Sequence, residues 1–276
     1  MTDGRRVRFP VRRDSSYVVG DRVRVEESRL EVIPADGLLC RRDSHGRVRS
    51  VAANLDVLGI VLATLPESPV GFIDRAVVAA RAAGIEPFHV LNKCDLEGAE
   101  PLRDEIVRIH AGIEHVFVVS AVRGDGLDAL RAFFATGVRG AFVGTSGVGK
   151  SSILNALCPD LDLRVGEINQ WSGLGRHVTT NATLHALPDG GELVDTPGFR
   201  DFGPVEVSSP ELASYFPGFE SALDEGCRFR DCLHRSEPGC EVRAADVAGR
   251  LPAGRHAAYL DLLAELEAAE KAARRF

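Results

Sequence analysis

Aromatic side chains are almost missing from the front of this chain. Residues 1–50 hold only Phe9 and Tyr17, which gives a run of nucleic-acid bases nothing to stack on. Long apolar runs are missing throughout: the longest, Val57 to Leu65, falls well short of the roughly 18 residues a membrane helix needs. No apolar segment of signal-peptide kind stands near the N-terminus. These absences lead us to expect a cytoplasmic protein that makes no membrane contact. A disulfide framework is missing too. Of six cysteines, three sit without pattern at 40, 94 and 158 and three are crowded between 227 and 240; that clustering suits a metal better than staples.

What is present points elsewhere. The 276 residues, 45% of them hydrophobic, suffice for about two domains with real cores. Net charge is −7, yet residues 1–50 carry twelve Arg against eight acidic residues, leaving −11 for the remainder. A basic front section is either a solvated face or a contact for nucleic acid. Its short alternating segments, Tyr17-Val18-Val19, Arg22 to Val25 and Gly46 to Arg49, predict a small antiparallel β module. Arg22 and Arg24, like Arg47 and Arg49, fall on alternate positions and so share a strand face. With no aromatics interleaved, such a face reads shape and phosphate backbone more than base sequence.

From about residue 51 apolar runs alternate with helical stretches, the mark of an α/β fold with a parallel sheet and crossover helices. The predicted strands are Val57–Leu62, Pro87–Leu91, Val116–Val119, Gly140–Val143 and Glu192–Val194. The predicted helices are Ile73–Ala83, Pro101–His110, Leu127–Phe134 and Ser151–Leu157, with a packing helix in the tail from Tyr259, Leu260, Leu263, Leu266 and Ala269.

Polar motifs follow four of the strands, where ligands bind in an open α/β sheet. The clearest is Gly144-Thr145-Ser146-Gly147-Val148-Gly149-Lys150-Ser151, entered from an apolar strand and continued by Ser152 into a helix. Glycines let backbone N–H groups turn inward around a polyphosphate; the lysine reaches the β and γ phosphates, and the Ser151 hydroxyl can ligate magnesium. Asn92-Lys93-Cys94-Asp95 reads as a base-selecting loop. The Asp95 carboxylate can accept from guanine N1–H and the 2-amino group, Asn92 can bond the base edge, and the Lys93 stem can cover the ring. A site built on such hydrogen bonds can reject a ligand lacking them by about 10⁴–10⁵. Ser120-Ala121 offers a backbone N–H for guanine O6. Gly173 to Thr180 is a glycine-rich stretch that looks like a switch, and Asp195-Thr196-Pro197-Gly198 ends a strand where Asp195 can hold magnesium through water and the Gly198 backbone can sense the γ phosphate.

The order of these motifs is unusual. The base-reading loops precede the phosphate loop, the reverse of an ordinary GTPase, so the domain is circularly permuted; chain termini lying close together at a surface make that feasible. This layout resembles the circularly permuted GTPases of small ribosomal subunit biogenesis, the RsgA family. Ala52-Ala53-Asn54-Leu55-Asp56, Ile73-Asp74-Arg75, Gly175-Arg176-His177 and the cysteine cluster match as well. The resemblance implies an OB-like β-barrel over residues 1–50, a permuted GTPase domain over 51–205 and a helical zinc-binding domain over 206–276, although some 50 residues are short for a full barrel. Cys227, Cys232, His234 and Cys240 form a Cys₃His set suited to one structural zinc with a closed site, in a segment with little apolar content of its own. Val178 stands where the family usually has Thr, so magnesium ligation falls to Thr179, with Thr180 next in line. Phe199 occupies the place of the water-orienting Gln of Ras-like enzymes, and the resemblance gives that role to His177. The implied activity is hydrolysis of GTP to GDP and phosphate by a monomer, with Mg²⁺ as cofactor and the small ribosomal subunit and its rRNA as partner and stimulator. Two other readings stay open: a GTPase switch acting on a non-ribosomal protein, and an RNA-binding assembly factor with a structural nucleotide.

Overall fold

A computed structural model describes residues 17–26, 29–42, 47–110, 112–159, 161, 182–195, 205 and 207–273. Two short antiparallel ladders come first. β1 (Val23–Glu26) pairs with β2 (Arg29–Val32), and β3 (Leu39–Arg42) pairs with β4 (Val48–Ala52). β1 is exposed along its whole length, so Arg24 faces solvent and meets only Glu31 across the ladder at 3.3 Å, a pairing worth little at such exposure. The second ladder is anchored where Leu39 and Ala52 are buried. Asn54 and Arg139 both donate to the Gly20 carbonyl at 3.0 Å, which ties this module to the sheet behind it.

That sheet has six strands in the order β7-β6-β5-β8-β10-β9. They are β5 (Val57–Leu62), β6 (Glu86–Leu91), β7 (Val116–Val118), β8 (Arg139–Val143), β9 (Thr183–Ala186) and β10 (Glu192–Asp195). All neighbours run parallel except the edge strand β9, antiparallel to β10. Every residue of central β5 is buried, the sign of a strand covered on both faces. α1 (Phe72–Ala82) and α2 (Ala99–Ile109) cover one face; α3 (Leu127–Phe134) and α4 (Lys150–Leu157) cover the other. After β5 the chain builds outward through β6 and β7, then returns to lay β8 on the opposite side of β5. That reversal is a topological switch point, and a crevice opens beyond the carboxyl ends of the strands there.

The C-terminal helices α5 (Leu212–Tyr215), α6 (Glu220–Glu225), α7 (Glu241–Val247) and α8 (Arg255–Ala273) gather around a core of their own with Phe216, Phe219, Tyr259 and Leu263. The sequence reading underestimated this core: the metal-ligand segment is poor in apolar residues, but it packs onto the core, which includes Cys240 itself. On α8 the buried stripe is Tyr259, Leu262, Leu263 and Leu266, whereas Ala269, expected on it, is exposed. Among the described residues no helix is long and apolar enough to cross a membrane.

Two imidazoles are buried beside α1 and α2. His89 of β6 and His110 at the end of α2 have ring centroids 5.2 Å apart. Neither ring nitrogen of His89 has a hydrogen-bond partner. Burial holds His89 down to about 4; burial first, then His89, Arg255 and Arg81 as positive neighbours, hold His110 down to about 2. Free imidazole titrates near ~6.5. Below that pH the unfolded chain therefore binds protons that the folded chain refuses, and stability falls as pH drops from about 6.5 to about 4, by up to ~1.4 kcal/mol per pH unit for each ring. Urea midpoints measured between pH 7 and pH 5 should decline, and His89→Leu should flatten the decline.

Candidate nucleotide and metal sites

Three of the loops at the crevice are laced together by one side chain. Asn92, directly after β6, is almost wholly buried. Its Nδ2 donates to the Val148 carbonyl in the phosphate loop at 2.8 Å, and its Oδ1 accepts from the Ala121 N–H at 3.1 Å. Asn92 therefore clamps the base-reading loop, the loop after β7 and the phosphate loop into one body. The Ser120 N–H donates to the Asp125 carbonyl at 3.0 Å. Both N–H groups of Ser120-Ala121 are thus engaged within the protein, and this dipeptide positions its neighbours.

Asp95 stays exposed at the rim. A hydrogen bond from the Ser120 hydroxyl, first among several influences, holds its carboxyl below the usual carboxylate range. It is thus ionised and aimed, as a carboxylate must be to accept from two base N–H groups. Lys93 adopts φ 62° and its Nζ donates to the Leu65 carbonyl at 2.7 Å. The lysine stem is thereby pinned to the loop that follows β5.

The phosphate loop needs its glycines for space as well as turning. A Cβ on Gly144 would lie 2.6 Å from the Val61 carbonyl oxygen, and one on Gly149, at φ 99°, would lie 2.2 Å from Asn92 Nδ2. Gly149 caps α4, so the first N–H groups of that helix point into the crevice with its positive dipole end. Val148 is buried, while Ser146, Gly147 and Ser151 are exposed and Thr145, Lys150 and Ser152 half-buried. Lys150 Nζ donates to the carbonyls of Gly144 and Thr145 at 2.7 and 3.0 Å, folded over its own loop. Across the crevice Asp195 ends β10. Burial raises its carboxyl, and His185 and Lys150 partly offset this, which puts Asp195 within electrostatic reach of the lysine. His177, Thr179, Thr180, Gly198 and Phe199 lie outside the described residues.

The second constellation lies in the C-terminal body. The ligand atoms of Cys227, Cys232, His234 and Cys240 all fall within 4.8 Å of one another. His234 Nδ1 is 3.5 Å from Cys227 Sγ and 3.4 Å from Cys240 Sγ. Zinc bonds of about 2.3 Å to sulfur and about 2.0–2.1 Å to nitrogen, at a tetrahedral angle, set these atoms about 3.5 Å apart, so the donors fit zinc. The loop holds this shape through Arg228 N–H to the Gly239 carbonyl at 2.9 Å and Glu241 N–H to Cys227 Sγ at 3.4 Å. Burial pushes the Cys232 thiol up to about 12 and raises Cys240; the cluster stays neutral until a cation displaces the protons. Four protein donors close the coordination shell, which is a structural arrangement.

Sequence reasoning missed the clamp. Asn92 was visible as part of a motif, but its partners are carbonyl and amide groups of two distant loops, which no residue type announces. Asn92→Ala should destabilise the fold by about 1–3 kcal/mol, the cost of leaving buried partners unmet, and weaken nucleotide binding; urea unfolding and nucleotide titration measure both. Asn92→Asp keeps the acceptor for Ala121 but sets a buried carboxylate oxygen against the Val148 carbonyl, so its loss should be at least as large. Chelation of a bound metal should add three thiols to those that react with a disulfide reagent and lower the melting temperature.

Comparison with known proteins agrees with this geometry. The profile of a family described as RsgA GTPase matches residues 32–204. A Pseudomonas fluorescens protein named small ribosomal subunit biogenesis GTPase RsgA is 43% identical over 237 residues, 85% of this chain and 68% of its own length. The protein of that name from Pseudomonas putida is 41% identical over 260 residues, 91% of this chain and 75% of its own. Among solved structures, YjeQ from Thermotoga maritima superposes with a TM-score of 0.70 at 33% identity, covering 86% of this chain and 78% of that one. YloQ, described as a circularly permuted GTPase, gives 0.67 at 25% identity over 92% and 82%. The permuted motif order, the loops gathered at one sheet edge and these matches lead to one conclusion: the chain belongs to the RsgA GTPase family.

Proposed function

We propose that this chain binds GTP and hydrolyses it to GDP and phosphate during late maturation of the small ribosomal subunit, with turnover stimulated by that subunit. The observation that carries the nucleotide reading is the Asn92 clamp, which brings a base-selecting carboxylate and a phosphate cradle to one crevice. Asp95 selects guanine by accepting from N1–H and the 2-amino group, with Ser120 aiming it. Gly144 to Ser152 cradles the phosphates, and Lys150 exchanges its loop carbonyls for phosphate oxygens. Magnesium, when bound with the nucleotide at Ser151, Asp195 and Thr179, supplies charge neutralisation at the β and γ oxygens. His177 orients the attacking water, a task Phe199 cannot perform, and Gly198 senses the γ phosphate through its backbone. The names of the Pseudomonas relatives support the ribosomal setting, and the arginines of β1 and β4 support contact with rRNA.

The reading extends to organisation. The front β module, the permuted GTPase domain and the zinc-bearing helical body divide near residues 50 and 205; the protein acts as a cytoplasmic monomer, and its zinc is structural.

Asp95→Asn tests the base-reading role. Asparagine presents a donor where guanine also presents donors, so affinity for GDP should fall sharply, while xanthosine diphosphate, with an acceptor in place of the 2-amino group, should gain. Equal loss for both nucleotides would contradict the assignment. Lys150→Ala should lower hydrolysis by at least about tenfold, in line with a lost transition-state contact of a few kcal/mol. Co-sedimentation with isolated small subunits in the presence of a non-hydrolysable GTP analogue, compared with GDP, tests the partner.

A further inference from the structure

A buried ionic contact joins the metal-bearing body to the nucleotide-binding body. Arg255, at the start of α8, is only 3% exposed and Asp74, in the first turn of α1, only 7%. Arg255 Nη1 donates to Asp74 Oδ1 at 2.8 Å, and Nη2 donates to the Pro217 carbonyl at 2.8 Å. The guanidinium lies 4.3 Å above the Phe216 ring. Behind Asp74 stands His110, with Nε2 at 3.9 Å from the same carboxylate oxygen, and behind that stands His89, three positions before Asn92 on the same strand and loop. A buried ion pair is poor evidence for stability as such, because desolvation offsets much of its attraction; breaking one side leaves an uncompensated charge. Such a pair enforces one docking geometry.

The other end of α8's first turn holds the metal loop. His256 Nε2 donates to the carbonyl of the ligand His234 at 2.6 Å, and Tyr259 Oη donates to the Leu233 carbonyl at 3.2 Å. One helical turn therefore touches the metal cluster with residues 256 and 259 and touches α1 with residue 255. The rest of the α1 face is equally committed: Arg75 meets Glu265 at 2.6 Å, Arg81 meets Glu220 at 2.7 Å, and Val78 is buried in the C-terminal core.

We propose that Asp74 and Arg255 are positioning residues: through them the metal-held geometry of the C-terminal body is transmitted to α1 and so to the nucleotide site. Continuity of contacts describes an arrangement; coupling is a free energy that both ends must share. If the first turn of α8 is placed by the metal loop, removing the metal and removing the Asp74–Arg255 pair must have the same effect on α1, and the second change must add little to the first.

The inference rests on the metal reading, so zinc content of the full-length protein is measured first. Hydrogen exchange of α1 amides, residues 72–82, is then followed in the GDP-bound protein with and without a chelator, for the parent chain and for Asp74→Asn and Arg255→Met. Chelation of the parent, and each variant with metal present, should speed α1 exchange by about 5–150-fold, the range of ordinary coupling free energies. Chelation of either variant should add less than about threefold, by the non-additivity of coupled sites. GDP affinity should weaken in the same order. If chelation exposes residues 227–240 while α1 exchange and GDP affinity stay at the parent's values, the coupling is overturned. If the variants leave α1 exchange unchanged, the role of the pair is overturned even where zinc is present. Absence of zinc from the purified protein would overturn the transmission from the metal loop, leaving the two variants to decide only whether the Asp74–Arg255 pair positions α1. Arg255→Lys, which retains the charge but not the fork, should recover only part of the protection.

Discussion

A single primary amide ties together the loops of the nucleotide site. The strand ends that form the crevice come from chain segments as far apart as residues 92, 121 and 148, and each loop could relax by itself. Asn92 denies them that freedom, because its donor and its acceptor are both buried and both answered by another loop. The glycine at 149 follows from it: any side chain there would occupy the space of the Asn92 amide. So do the aim of Asp95, which leans on Ser120 beside the clamped Ala121, and the opening of α4, whose first N–H groups face the crevice. The permuted chain order leaves this arrangement intact, since the clamp depends on where the strands end in space and not on which comes first.

The C-terminal body adds a second constraint. It is joined to the sheet domain along α1 by carboxylate–guanidinium pairs of graded burial, from the enclosed Asp74–Arg255 contact to the partly exposed Arg75–Glu265 and Arg81–Glu220 pairs. Directional contacts of this kind specify orientation more than they add stability. Orientation matters because Val207, twelve positions after Asp195, is buried in this body's core, and the Ser209 N–H donates to Glu270 at 2.8 Å. A metal at the Cys₃His cluster would fit the same logic, by holding the loop whose carbonyls receive α8.

Much of this was legible in the sequence, for definite reasons. The strands of the parallel sheet are near-continuous apolar runs, and the spans expected for β5 and α3 coincide with those observed. Phosphate, base-reading and metal motifs carry their chemistry in residue type and spacing, so Gly144 to Ser152, Asn92 to Asp95 and Cys227 to Cys240 could be singled out before any fold was known. β2 and β3 were not singled out: Leu39-Cys40-Arg41-Arg42 of β3 does not alternate, whereas Arg29-Leu30-Glu31-Val32 of β2 alternates as β1 does and could have been read. The bond between Asn92 and Ala121 could not be read from sequence, because a side chain's partner is a property of tertiary placement. Asp74 stood in a stretch that matches the family and Arg255 was not singled out; 181 positions apart, they become neighbours only on folding.

The most direct test of the account is the rate of GTP and ATP hydrolysis by the purified chain, with and without isolated small ribosomal subunits, alongside His177→Ala. The account predicts slow turnover of GTP alone, on the order of 10⁻⁴–10⁻² s⁻¹, little or no turnover of ATP, and stimulation by the subunit of about 10³-fold that His177→Ala abolishes. Turnover of ATP at a similar rate, or a GTP rate that small subunits leave unchanged, would contradict it.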